Sequence, residues 1–548
     1  MALLPLRDLG KIGVVTDVDP YDIPINAFTM AVNYRFDGPA ITDAPVCRRV
    51  SNTLSSTSLK TMASYTNSSG ATDTFYTSGD GRVYRVDPAG IGTATDTNLS
   101  ESTWVDNSID SAFTLVELNN VLYVNRADRV PWYRSKSGGG LFQKLTNWNS
   151  AWRCEALRAM NGQLIAINMT ESGVNYPNKI RWSDLSVYDT VPGTWTAGTT
   201  NSAGSNLLAE LKEPLIDGWP LRDRMMLYSK SEVWIMQPTG DSNVFSFYRA
   251  FGDSGVINQN CVVEIGGIHY VFGNSEIYKH DGINKIPLTT GRINRFIYEN
   301  LPRANVRDCF VAHNPKLSEI MFCYPSMDAY CNFQLGTYRG CNRAAVFNYQ
   351  RETWYFYDLP MFGGMCFSAF NLGDIYSSIT STYDSVGGAY LSFGDTSQIA
   401  LIGSSNPGLN WQGTTFNARI LSFELISSVA HNGPFTSNVN SPAYLERQDL
   451  DLDELAQGGL TGNKLIRSVY PEGRVGDLNS PMLFWVGTKM LPNEVPVWEE
   501  SYLFDGSTNY KLDYNVSGRY LSWRVTQSRT GTVRLSGMDI DVIVLSRR

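Results

Sequence analysis

The sequence predicts an all-β fold, a β-propeller with an additional β-sandwich or platform domain formed by the terminal segments. Three observations predict it. A hairpin pattern recurs through the middle of the chain. Aromatic residues (12%) and 47 glycines accompany only 18% charged residues, a mix suited to many short strands joined by tight turns. Beyond about residue 400 the hairpins give way to a meander.

Each repeat reads as an apolar-alternating strand, a tight turn, a second apolar strand, a short break and an aromatic-rich third strand. LVELNNVLYVNRADRVPWYR turns at Asn119-Asn120, ALRAMNGQLIAINMT at Asn161-Gly162 and VVEIGGIHYVFGNSEIYKHDG at Gly266-Gly267. Such pairs between alternating apolar residues are hairpin signals, because both central positions need positive φ. LIDGWPLRDRMMLYSKSEVWIM, centred near Arg222, fits between the second and third. FVAHNPKLSEIMFCYPS turns more loosely around Pro315 to Ser318, and AVFNYQRETWYFYDLP reads as the outer hairpin of the same blade. DTFYTSGDGRVYRVD belongs to an earlier blade. The turns recur about every 40 to 60 residues, near the period of a four-stranded blade.

The expected division is therefore residues 1–50 as platform strands, 51–400 as propeller and 401–548 as a β-rich platform or sandwich. In the last part, Leu521, Trp523 and Val525 alternate as one buried face of a strand. One helix is expected, from Thr289 to Arg303, with Ile293, Phe296, Ile297 and Leu301 on the face packed against a blade.

Candidate chemistry is sparse. No P-loop, G-x-S-x-G elbow, H-E-x-x-H or G-x-G-x-x-G after a strand is found, so no catalytic or cofactor-binding residue is assigned and an enzyme is not expected. His269, His280, His313 and His431 are scattered and read as packed or surface residues. Cys309, Cys323, Cys331, Cys341 and Cys366 cluster without a CxxC pair, so they read as buried thiols and not as a metal site. The one dense acidic run, RQDLDLDELAQGGLTG, carries Asp449, Asp451, Asp453 and Glu454. It lacks the glycine of a calcium loop at the sixth position and reads as a solvated loop.

The net charge is −8, against the basic surplus expected of a phosphate-gripping protein. No stretch approaches the length of a membrane-spanning helix, and the opening MALLPLRDLGK lacks the basic segment and cleavage site of a signal peptide.

GVVTDVDPYDIPINAFTMAVNYRFDGPAITDAP, residues 13–45, resembles the opening of the nozzle proteins of short-tailed bacteriophages, also called tail tubular protein B or DNA stabilisation proteins. Three later segments resemble the same family in the same order: FGDSGVINQNCVVEIGGIHYVFGNSEIYKHDG, AVFNYQRETWYFYDLP, and SGRYLSWRV with VRLSGMDIDVIVLSRR. The resemblance implies a non-enzymatic structural subunit of the virion tail, assembled in the bacterial host cytoplasm. Its expected partners are copies of itself in a hexameric ring, a tail adaptor protein and tail fibres, with genomic DNA passing through the channel without tight binding. Asp449, Asp451, Asp453 and Glu454 become the candidate channel or tip loop. The alternative is a carbohydrate-binding or depolymerising tail component on the same propeller.

Overall fold

The computed structural model describes the chain outside residues 1, 52–53, 57, 67–69, 71, 88–93, 105–112, 242, 330–339, 369–398, 405–417, 426–440, 451–461, 477–480, 493, 508 and 547–548. Among the described residues, five four-stranded antiparallel sheets follow one another, and a sixth unit of four strands forms part of a larger sheet. Blades 1 to 5 span residues 59–98, 113–144, 152–207, 215–251 and 262–287, and blade 6 starts with Phe310–Asn314 and ends in the long strand Thr353–Ser368. The expected turns join the first two strands of blades 2, 3 and 5. Asn119 and Asn120 have φ of 48° and 70°, Asn161 and Gly162 50° and 79°, Gly266 and Gly267 60° and 78°. At Arg222 a non-glycine residue takes φ 58°, which accounts for the weaker signal there.

Each blade buries both faces against its neighbours. Phe75, Trp104, Phe113 and Trp132 fill the gap between blades 1 and 2, Tyr123, Leu157 and Leu164 that between 2 and 3, and Ile165, Ile167, Met225 and Leu227 that between 3 and 4. Blades 4, 5 and 6 share one larger core with the platform. The ring closes through strands outside the blade repeat. Thr353–Ser368 runs on past blade 6 and pairs with Ile399–Ser404, which pairs with Arg419–Glu424, which pairs with Val46–Arg49. This extension packs on blade 1 through Leu54, Leu59, Met62, Leu401 and Ile420. Gly363 and Gly364 permit the approach: a Cβ at either would lie 2.0 Å from Leu59 O or 2.5 Å from Met62 N.

These pairings cross the expected boundaries at 50 and 400. Val46–Arg49 leaves the platform to close the ring, and residues 401–404 and 419–424 belong to the propeller side. Pairing across sequence distances of hundreds of residues decides this, and no local pattern reports it.

The platform is a sandwich of two sheets. One contains Ala2–Arg7, Tyr34–Asp37, Ala40–Asp43, Asn463–Val475, Leu512–Gly518 and Val533–Ser546. The other runs from Met30–Val32 through Ala443–Leu450 and Tyr520–Gln527 to Met482–Lys489. Leu512–Gly518 alternates buried and exposed residues along its whole length, as a half-buried strand must. Leu4, Phe36, Ile466, Phe484, Trp523 and Val542 fill the space between the sheets, with Phe28 edge-on to Trp523 at 5.5 Å.

The expected helix is shorter than its pattern. It spans Asn294–Asn300 and is followed by the 3-10 turn Arg303–Asp308. Gly291 at φ 71° and the Thr289 carbonyl, which accepts from Arg292, Ile293 and Asn294, delay its start, and Pro302 follows its end. Asp17 accepts from the Arg295 and Phe296 amides, supplying the cap its own residues lack. Ile293 and Ile297 are buried, and Phe296 meets Phe356 at 5.1 Å.

Candidate functional site at the propeller axis

The first strands of the blades converge on the axis, where they leave a cavity of about 250 Å³. Charged residues in these otherwise apolar strands meet there. Arg158 of blade 3 makes a two-point pair with Asp217 of blade 4, at 2.8 and 2.6 Å, and donates to Asn260 Oδ1 at 2.9 Å. Asp217 also accepts from the Asn260 amide at 2.9 Å and the Gly218 amide at 2.8 Å. Asn260 Nδ2 donates to the Phe113 carbonyl of blade 2 at 2.8 Å. One network thus ties blades 2, 3 and 4 to the entry of blade 5. Two-point guanidinium–carboxylate pairing with further hydrogen bonds is the arrangement in which buried ions are compensated. The Arg158 guanidinium also lies 4.7 Å from the Trp219 ring centre.

On the other side of the cavity, Lys60 Nζ of blade 1 reaches Asp308 Oδ1 at 3.3 Å, just before blade 6. Gln259 donates through Nε2 to the Glu155 carbonyl and carboxylate at 2.8 and 3.0 Å.

A second buried group joins blades 4 and 5. Tyr228 Oη stands 2.7 Å from both His269 Nδ1 and His280 Nε2. The Gly282 amide donates to His280 Nδ1 at 3.1 Å, so His280 carries its proton on Nε2 and donates to Tyr228. His269 Nε2 faces the Pro220 carbonyl at 2.9 Å and must donate there, leaving Nδ1 to accept from the tyrosine. Every proton has one place. Burial pulls His269 down to about 4, and burial with the neighbouring His269 pulls His280 down to about 3. His269 and His280, read as separate in sequence, are one structural pair, whereas His313 meets Tyr349 and His431 lies outside the described residues.

The platform is locked to the propeller by a third group. Arg35 Nε donates to Glu319 Oε1 of blade 6 at 2.6 Å, and the same carboxylate accepts from Tyr355 at 2.8 Å and Tyr357 at 3.1 Å. Burial alone would lower the Arg35 guanidinium, but Glu319 outweighs it and holds Arg35 above its ordinary value. The thiols of Cys309, Cys323 and Cys341 are buried and pushed well up by desolvation, as packed, unreactive cysteines are; Cys331 lies outside the described residues.

The acidic run does not hold as a solvated loop at its first member. Asp449 is 1% exposed and pairs with Lys489, 4% exposed, at 2.8 Å. It sits at the end of Ala443–Leu450, against the neighbouring strand Tyr520–Gln527. The alternation of charge concealed that the strand continues through it. Asp451, Asp453 and Glu454 lie outside the described residues. The axial residues went unread because Arg158, Asp217 and Asn260 are far apart in sequence. Their only signal is a lone charge inside an apolar inner strand, ALRAM and LIDGW.

No helix among the described residues is long and apolar enough to cross a membrane. No family model matches the chain, and no curated protein is similar to it. Among solved structures, the WD40 β-propeller domain of Doa1 is 10% identical, with a TM-score of 0.36 over 68% of this chain and 96% of that one. The computationally designed Ika8 protein is 8% identical, with a TM-score of 0.35 over 68% and 99%. PorZ, an essential bacterial surface component of the type-IX secretion system of Porphyromonas gingivalis, is 9% identical, with a TM-score of 0.31 over 74% and 43%. At these values the likeness carries no functional argument, and the propeller assignment stands on the blades, cores and axis described above.

Proposed function

We propose that this protein is a structural, non-enzymatic subunit of the tail nozzle of a short-tailed bacteriophage. In this reading it resides in the virion tail, forms a hexameric ring below an adaptor protein, contacts tail fibres and surrounds the DNA ejection channel. The observation that carries the reading is the lock between propeller and platform. Arg35, Glu319, Tyr355 and Tyr357 are all buried and bonded to one another, which holds the two bodies in one fixed relation. A subunit that must keep its place around a pressurised channel needs that stiffness. The ordered motifs at residues 13–45 and in the middle and last parts of the chain support the same reading, and the net charge of −8 suits a wall along which DNA slides without being held.

Native mass spectrometry and electron microscopy of the purified chain, alone and with the adaptor, test this. Rings of six copies and weak duplex binding are expected. A chain that stays monomeric and fails to join tails lacking it, or that binds duplex DNA tightly with steep salt dependence, would overturn the proposal.

A further inference from the structure

The platform ends in two surfaces that its own fold leaves unfilled. At one end, the turn from Met482–Lys489 to Val497–Trp498 projects Leu491 and Val495, 56% and 81% exposed, beside the exposed Glu494. Hydrogen bonds hold the shape of this turn. Lys489 Nζ donates to the Pro492 carbonyl at 2.7 Å, and the Glu494 carboxylate accepts from the Met490 and Leu491 amides at 3.1 and 3.0 Å. Large apolar side chains held out in water on a fixed turn mark a contact surface. The strands that follow, Val497–Trp498 and Tyr502–Phe504, pair with Met482–Lys489 on one side and with no other strand among the described residues. The exposed Glu499 and Glu500 lie between them.

At the other end is an open pocket of about 780 Å³, lined by Leu3, Tyr470, Arg474, Phe504, Tyr510 and Arg534 among others. Arg474 and Arg534 are exposed and stand directly opposite each other on adjacent strands, a placement of like charges that costs stability. No ion pair reaches either arginine among the described residues. The two carboxylates of the lining, Glu472 and Asp539, face Arg7 at 3.8 and 2.8 Å. The pocket therefore lacks an anion, and its walls at Tyr510 and Leu3, 79% and 59% exposed, lack apolar cover. Lys489 leads into the projecting turn, whereas Met482 pairs with Phe504 at the pocket. The eight residues of that strand keep the two surfaces about 26 Å apart.

An apolar, acid-bearing projection and an apolar, arginine-bearing pocket are complementary, yet at that separation they cannot meet within one chain. We propose that the turn carrying Leu491, Glu494 and Val495 seats in the arginine pocket of a second copy. The two surfaces differ, so the contact is head-to-tail, the kind that a ring repeats until it closes. It rests on the ring-forming role proposed above and supplies the joint for it.

Cross-linking and native mass spectrometry of the full chain, alone and with the adaptor, test it. Val495→Cys combined with Tyr510→Cys, treated with a flexible bis-maleimide, should give a ladder of linked copies up to six. Each single variant should stay unlinked, since the native thiols among the described residues are buried. Val495→Asp should raise the midpoint concentration for ring assembly by about tenfold or more, and Arg474→Glu with Arg534→Glu should do the same. All three positions are exposed, so the urea midpoint should hold in each variant. Wild-type rings that yield no link between positions 495 and 510, or that Val495→Asp leaves intact, would overturn this contact while the ring role stands. Linking through Val495→Cys alone would replace it with a symmetric contact. Loss of adaptor binding by Val495→Asp with rings unchanged would give the turn to the adaptor, and either result overturns the proposal. A wild-type chain that stays monomeric alone and with the adaptor would sink the ring role itself, and this contact with it.

Discussion

The propeller and the platform are both antiparallel β-structure, yet they are assembled in opposite ways. A blade such as residues 152–207 is built from strands consecutive in sequence, joined by turns whose residues announce themselves. The platform's first sheet draws on Ala2–Arg7, Tyr34–Asp37, Ala40–Asp43, Asn463–Val475, Leu512–Gly518 and Val533–Ser546, so nearly all its pairings are remote. The blades hold their neighbours by apolar faces and the axial Arg158–Asp217 network, whereas the joint to the platform combines a shared apolar core with the buried Arg35–Glu319 pair. Local order makes an element readable; it does not make it the element on which the whole molecule depends.

The comparison can be broken most forcefully at Trp354. Its ring is fully buried, 4.9 Å from Phe347 and 5.8 Å from Phe322, with Nε1 donating to the Leu288 carbonyl at 3.2 Å. Gly13 pairs with it from the N-terminal segment. Trp354→Ala should cost about 3–5 kcal/mol in urea denaturation; a loss below about 1 kcal/mol would mean that blade 6 does not anchor the N-terminal strands.

Arg35→Met should cost about 3 kcal/mol, because it strands Glu319 in the core without its cation. Adding Glu319→Leu should recover part of that loss, since an apolar pair can replace a buried ionic one. If the double variant is no better than the single one, packing and not charge joins the two bodies.

The histidine pair sharpens the comparison within the propeller. Both histidines are held neutral in the fold, with values near 4 and 3 against an ordinary 6.5. Below pH 6.5 the unfolded chain takes up protons that the folded chain refuses, so stability falls as pH falls. The slope should be about 1.4 kcal/mol per pH unit for each histidine, continuing toward the folded values. His280→Gln should flatten the urea midpoint's dependence on pH between 6.5 and about 4; an unchanged slope would show that the pair opens to water before it titrates.

The smallest effect belongs to Arg295 and Glu299, an i,i+4 pair at 3.0 Å whose side chains are 77% and 64% exposed. Converting both to alanine should change stability by less than about 0.5 kcal/mol. A larger change would mean that this helix face is covered by something other than solvent.

These residues also mark what the sequence makes legible. The turns at 119–120, 161–162 and 266–267, and the burial of Trp354, follow from adjacency: φ preferences and period-two alternation act over a few residues. The shortened helix was half legible, since its apolar face is local but the Asp17 cap comes from 278 positions away. Arg35 and Glu319, separated by 284 positions, carry no local mark at all. Asp449 misled for the converse reason: neighbouring charges imitate a solvated loop, while the partner that buries it, Lys489, lies on another strand.

The strand Ala2–Arg7 pairs with Val533–Ser546, and Val46–Arg49 with Arg419–Glu424. On the ribosome, the partner of the first of these strands is made only some 530 residues after it. At about 5–20 residues per second, Ala2–Arg7 therefore waits on the order of a minute with no strand to pair with, while the blades fold one after another behind it. During that interval Leu4 and Leu6, later buried, stand open to other nascent chains, and Pro5, which offers no N–H, limits how far a foreign strand can zip along them. The yield of native protein should then depend on elongation rate and on chaperones that shelter this first strand, more than on the stability of any blade.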